Sequence, residues 1–327
     1  MNDPLADRSL AYALADARER LLPADPRITT IGLGYRTQAG RETREICVQI
    51  GVEEKLPPNS LDRSVMLPRA IQPAAGSLER VRVDVVGTGV LSRLDAVPTA
   101  IALTGALTLP GFDLRARVRP AVPGCSIGHL RTTAGTLGAV LTDRRRRRFL
   151  LSNNHVLANE NEARPGDPIL QPGPADGGAE ADGVIGHLHS FVPLDPEGLN
   201  EVDCALAAAE RDRDLAPAIY GLGTVIGTGP LELGQKVRKC GRTTGLTAGR
   251  VRRVAITARI HYGCGVLVFS GLAETAGMSA PGDSGSLLVD DVNRAVGLLF
   301  AGSPVLTLFC PIEAVVKGLE LQDLSFC

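Results

Sequence analysis

The chain reads as a mainly β protein in which a barrel-forming region follows a small α+β domain. Three observations predict this. Thirty-seven Gly and twenty-two Pro are spread along 327 residues without a period, which fits many turns between short strands and excludes collagen and helical bundles. From about residue 117 short apolar runs alternate with Gly: TLGAVLTD, RFLLSNNHVLA, VDCALAAA, GTVIGTGPL, VLVFSG, SGSLLVDD and AVGLLFAG. Before that point the texture is different, with a helical pattern and then longer strand-like runs.

Residues 3–22 carry the helical pattern. Asp3 can cap it, Pro4 suits the first turn, Leu10, Leu14, Ala17 and Leu21 form an apolar stripe, and Pro23 is expected to stop it. The expected use of the stripe is packing on its own domain, although it also leaves docking or a homo-oligomer open. RITTIGLGYR (27–36) and REICVQIGVE (44–53) read as a hairpin joined by a polar turn, and VRVDVVGTGV (81–90) as a third strand. The expected organisation is an N-terminal domain over 1–95, a linker over 96–116 and a barrel domain over 117–327, whose length is enough for two small barrels. The pentad Arg144 to Arg148 is expected in a solvated hairpin turn, because five adjacent guanidiniums repel one another and resist burial.

Composition narrows the functional classes. A net charge of -1 supplies no overall field for nucleic acid or an anionic membrane, so neither is expected as a partner. Hydrophobic residues make up 44% of the chain but aromatics only 3%, so the core must be aliphatic. No stretch of about 18 apolar residues and no secretory apolar core near the N-terminus are seen, and a soluble cytoplasmic protein is expected. Seven widely spaced cysteines without a C-x-x-C pair fit buried reduced thiols better than a disulfide or zinc framework. His187 and His189 lack a carboxylate or Cys at ligand spacing, so they are expected at the surface, and neither metal nor cofactor is called for.

Three residues stand in settings that suit nucleophilic chemistry. Ser284 lies in Gly282-Asp283-Ser284-Gly285, where glycines permit a tight turn that aims backbone N–H groups at a carbonyl oxygen. His155 sits in LLSNNHVLA, where an apolar strand breaks into polar residues, and imidazole suits the role of general base. Asp203 opens the apolar run of EVDCALAAA and could orient that His; Glu201 and Asp195 are the weaker neighbouring choices.

The order His, Asp, Ser and the motifs SNNHVLA, VDCAL, GDSGSLL and KCGRTTGLTAGRV (239–251) resemble the trypsin/chymotrypsin-like serine protease superfamily from about residue 120 onward. The N-terminal domain, GTLGAVL and LSNNHVLA look most like bacterial relatives of the plant narrow-leaf trypsin-like protease family. The resemblance implies two antiparallel six-stranded barrels, His155 and Asp203 from the first and Ser284 from the second. It further implies an oxyanion hole at the N–H groups of Gly282 and Ser284, and endopeptidase activity on a protein or peptide through an acyl-enzyme.

The departures from the family pattern carry expectations of their own. An intact N-terminal domain precedes the barrels where trypsin-like zymogens would free a new N-terminus, so Asp283 needs another cation, and Arg238 or Lys239 is the candidate. Phe300 stands where animal enzymes place a Ser that supports the triad Asp, which removes the usual support of Asp203. Met278 and Ser279, with walls at Phe300, Ala301 and Gly302, imply an apolar or small side chain before the cut. Two further readings stay open: a catalytically silent protein that binds peptides or scaffolds a complex in the same cleft, and an esterase or other acyl transferase.

Overall fold

A computed structural model describes residues 3–62, 66–73, 80–94 and 112–326. Most of the expected 96–116 linker, and Cys327, lie outside the described residues. Helix α1 (Arg8–Ala24) starts later than expected, because Asp7, not Asp3, receives the Ser9 and Leu10 N–H groups at 2.8 and 3.2 Å. Asp3 caps a single turn, Pro4–Ala6, and Pro23 rides inside the last turn of α1. There its missing N–H leaves only one helical bond unmade. Ala13, Leu14, Ala17 and Leu22 of α1 are buried against Ile31, Leu33, Val48, Ile50 and Val81, so the helix closes the core of its own domain.

The strands of this domain are β1 (Ile28–Gln38), β2 (Arg41–Val52), β3 (Ala70–Ile71) and β4 (Val81–Gly87), with β5 (Ser92–Arg93) following. The β1/β2 turn is made by Ala39 and Gly40, both at positive φ. β4 runs parallel to β2, and β1 pairs antiparallel with the long strand Gly245–Tyr262. The N-terminal strands therefore extend a sheet of the barrel region.

The chain is mainly β with two sheets, as the sequence predicts. In the second, Lys236–Gly241, Gly245–Tyr262, Gly265–Ala276, Leu306–Pro311, Ala295–Gly302 and Leu287–Val289 pair in a ring, so six strands close a barrel. The first is, among the described residues, an open ladder of six strands with two short additions at its ends, Gly135–Thr136 and Leu324–Phe326. The arginine pentad occupies the turn between Ala139–Asp143 and Arg148–Ser152, and Asp143 accepts the N–H groups of Arg145 and Arg147. No described helix is long and apolar enough to cross a membrane.

Candidate active site

His155 lies in the short helix Asn154–Leu157, immediately after strand Arg148–Ser152. The polar residues that break the apolar run are each a tether. Ser152 Oγ donates to the Thr136 carbonyl at 2.8 Å, Asn153 Nδ2 to the Asp203 carbonyl at 2.6 Å, and Asn154 Nδ2 to Asn161 Oδ1 and the Val192 carbonyl, each at 2.8 Å. His155 is thus fixed relative to Asp203 through the backbone as well as the side chains.

Asp203 is fully buried beside strand Ala205–Ala209. Its Oδ2 lies 2.5 Å from His155 Nδ1, and its Oδ1 accepts the His155 N–H at 3.3 Å. The support expected to be missing comes from Tyr262, whose hydroxyl donates to Asp203 Oδ2 at 2.6 Å. Burial alone would raise the Asp203 carboxyl, but the charge and hydrogen bonds of His155 and the Tyr262 hydroxyl outweigh it and hold it below the ordinary carboxylate range. Burial and the neighbouring carboxylate push the Tyr262 phenol well up, so it stays a donor. The rivals of Asp203 are elsewhere: Glu201 is exposed and 3.9 Å from Lys317, and Asp195 organises the turn that Asn200 closes.

Tyr262→Phe keeps the ring, which stacks on Phe269 at 5.7 Å between centroids, and removes only the donor. A hydrogen bond to a charged acceptor contributes about 1.5–3 kcal/mol, so acylation of Ser284 is expected to slow by about tenfold or more, with a fall of several degrees in melting temperature. Fluorophosphonate labelling rates beside a thermal melt measure both; an unchanged rate would show that the hydroxyl is dispensable.

Ser284 sits on the loop before strand Leu287–Val289. Gly282 and Gly285 have φ of +98° and +94°, a region that disfavours any side chain, so the glycines of GDSG shape this loop. The loop is locked to the first sheet by the Thr136 N–H, which donates to the Ser284 carbonyl at 2.7 Å, and by Thr136 Oγ1, which donates to the Gly282 carbonyl at 2.9 Å. Asp283 beneath it is fully buried. Of the two basic candidates it is Lys239 that reaches it, with Nζ 3.0 Å from Oδ2, whereas Arg238 turns to the Asp290 carbonyl and Asn293. Asp283 also accepts from Thr244 Oγ1 at 2.6 Å and from the N–H groups of Thr243, Thr244 and Ala280. Burial would raise its carboxyl; the Lys239 ammonium and these donors hold it low. The RTT of KCGRTTG is therefore a collar around the serine turn, with Arg242 anchored to buried Asp176.

The structure brings His155 to Asp203 but does not link Ser284 to His155. Among the described residues His155 Nε2 is buried without a hydrogen-bond partner, and Ser284 Oγ instead donates to the carbonyls of Leu94 and Phe300, each at 3.2 Å. Gly282 N–H, one of the two expected oxyanion donors, donates to the same Leu94 carbonyl at 2.7 Å. Met278 belongs to one buried cluster with Leu94, Val251, Leu288 and Leu299, and Ser279 Oγ is tied to Thr307 Oγ1 at 2.7 Å. Ala301 and Gly302 lie opposite β5.

Phe300 corrects the expectation of a pocket wall. Leu299 packs in one cluster with Met278, whereas the Phe300 ring lies in the main core against Phe269, 4.9 Å away, so Phe300 offers the cleft its carbonyl. Sequence reasoning missed Tyr262 and Leu94. A Tyr closing the apolar face of an alternating strand, ITARIHY, was the available signal for the first; Leu94 had none.

No family model matches the chain. Over 84 residues it is 42% identical to serine protease 2 of Streptomyces fradiae, a match covering 26% of this chain and 40% of that protein's length. Among solved structures it is similar to Thermobifida fusca protease A, at TM-score 0.46 and 18% identity over 61% of this chain and 95% of that one. A Cellulomonas bogoriensis chymotrypsin matches at TM-score 0.44 and 18% identity over 63% and 97% of the two chains.

Proposed function

We propose that the chain is a serine endopeptidase that hydrolyses peptide bonds of a protein substrate. The observation that carries this reading is the buried His155–Asp203 pair, supported through Asp203 by Tyr262, together with a serine turn whose Gly282 N–H already holds a carbonyl oxygen. The first step requires the Ser284 hydroxyl to exchange its carbonyl acceptors for the unpartnered His155 Nε2. Ser284 Oγ then attacks the substrate carbonyl while His155 takes its proton, and Asp203 stabilises the imidazolium. The N–H groups of Gly282 and Ser284 stabilise the oxyanion, donors typically worth about 10²- to 10³-fold in rate each. His155 returns the proton to the leaving amine, and water cleaves the acyl-enzyme.

Kinship with bacterial relatives of the narrow-leaf protease family, division at residues 95 and 117, and a cytoplasmic setting belong to the same proposal. The last is supported by the six described cysteines, which are all free thiols, Cys264 among them exposed. Because the Leu94 carbonyl occupies the site, the test uses the wild-type chain and Leu94→Asp in parallel. A fluorophosphonate probe is expected to add to Ser284 in at least one of them, located by peptide mass spectrometry. Folded protein unlabelled in both would overturn the proposal in favour of the silent reading.

A further inference from the structure

The segment that leads out of the N-terminal domain lies in the candidate active site as a substrate would. Thr88 and Gly89 N–H groups donate to the Val52 and Glu53 carbonyls at 2.8 and 3.1 Å, and Ser303 Oγ donates to the Thr88 carbonyl at 2.5 Å, so its start is fixed to both domains. The Leu91 carbonyl accepts the His261 N–H at 2.9 Å. β5 then adds antiparallel to the edge of strand Ala295–Gly302, with Ser92 opposite Gly302 and Arg93 opposite Ala301. This is strand addition, in which main-chain bonds set the register and alternate side chains enter pockets.

Three side chains of the segment have built places. Leu91 is buried in the main core. Arg93 is ion-paired to Glu160, whose carboxylate also receives the Gly263 and Cys264 N–H groups, and its guanidinium lies 6.0 Å above the Tyr262 ring. Leu94 is 6% exposed and packs in the cluster containing Met278. The Leu94 carbonyl oxygen is held at 2.7 Å by Gly282 N–H and at 3.2 Å by the candidate nucleophile itself.

We infer that the peptide bond following Leu94 is a self-cleavage site, cut by Ser284 of the same molecule, and that Leu is the side chain this cleft takes before the cut. The inference rests on the endopeptidase reading. Ser284 Oγ bonds to the Leu94 carbonyl carbon, and its proton passes by way of His155 Nε2 to the departing α-amine of residue 95. Residues 1–94 remain esterified to Ser284 until a water molecule hydrolyses the ester, leaving a Leu94 carboxylate and free Ser284. Little entropy opposes the first step, because the electrophile is already bound in register. The pieces stay together afterwards, since β1 remains paired to strand Gly245–Tyr262 and Arg259 donates to the carbonyls of Leu22, Asp25 and Ile28.

The test follows intact mass over time for purified full-length wild type, Ser284→Ala, Leu94→Met and Leu94→Asp. Wild type and Leu94→Met are expected to become two chains ending at residue 94 and beginning at residue 95, at a first-order rate independent of protein concentration. Ser284→Ala should stay whole. Leu94→Asp, which would bury a carboxylate in an apolar pocket, should be cut at least about 100-fold more slowly and take up fluorophosphonate faster than wild type. A peptide Gly-Val-Leu-Ser-Arg-Leu with a reporter amine, supplied to Leu94→Asp, should be hydrolysed after Leu, a readout independent of the segment's own docking. Wild type that labels at Ser284 yet remains one chain would overturn the self-cleavage inference and leave the endopeptidase reading standing. Loss of label in wild type and Leu94→Asp alike would remove that reading itself.

Discussion

Asp203→Asn is expected to slow acylation of Ser284 by about 10⁴-fold while leaving the chain folded. The size follows from what Asp203 does in this site. Its Oδ2 is shared by His155 Nδ1 at 2.5 Å and the Tyr262 hydroxyl at 2.6 Å, so an amide placed there can present an N–H to one of them. An N–H facing Nδ1 forces the imidazole proton onto Nε2, the nitrogen that must accept the serine proton. The negative charge that would stabilise the imidazolium is lost at the same time. Packing is preserved, because Asn matches the shape of Asp in a fully buried position. Fluorophosphonate labelling rates, compared in a Leu94→Asp background so that the segment ahead of the cut does not set the rate, measure the effect, with far-ultraviolet circular dichroism as the control for folding. A loss below about tenfold would mean that Asp203 only positions a loop and that the pair with His155 is structural.

Much of this site was legible in the sequence because its parts are local. The GDSG turn, the polar break before His155 and the acid ahead of an apolar strand each advertise their chemistry within a few residues, and Lys239 was reachable because KCGRTT lies in one run. Tyr262 was not, since it reaches Asp203 across 59 positions of sequence and only the packing of one sheet on the other brings them together. Leu94 was hidden for a stronger reason: nothing distinguishes a leucine in a segment between domains until the segment is seen pairing with Ala301 and Gly302. The N-terminal strands were recognised but not what they pair with, because hydrophobic alternation reveals a strand and not its partner, which for β1 is Gly245–Tyr262.

Lys239→Met should be the most damaging change to stability among the residues that shape the serine turn. Lys239 and Asp283 are both fully buried, and removing one partner strands the other charge, a defect that typically costs about 3–5 kcal/mol. A fall in melting temperature of roughly 10 °C is expected. The dependence on pH identifies the cause. In the wild type the Asp283 carboxyl is held below its ordinary value, so its contribution is present above the unfolded value of about 3.9 and lost as pH falls through the folded one. Without the ammonium, burial dominates and the carboxyl rises, so the variant gains relative to wild type as acid protonates Asp283. Chemical denaturation at pH 7.5 and pH 4.5, conditions chosen on either side of the ordinary His range, should therefore give a smaller deficit in acid. Lys239→Met combined with Asp283→Asn should recover part of the loss, because the Asn carbonyl can still accept the Thr243 and Thr244 N–H groups without a stranded charge. A deficit equal at both pH values and unrelieved in the double variant would trace the damage to lost packing and separate Lys239 from the charge of Asp283.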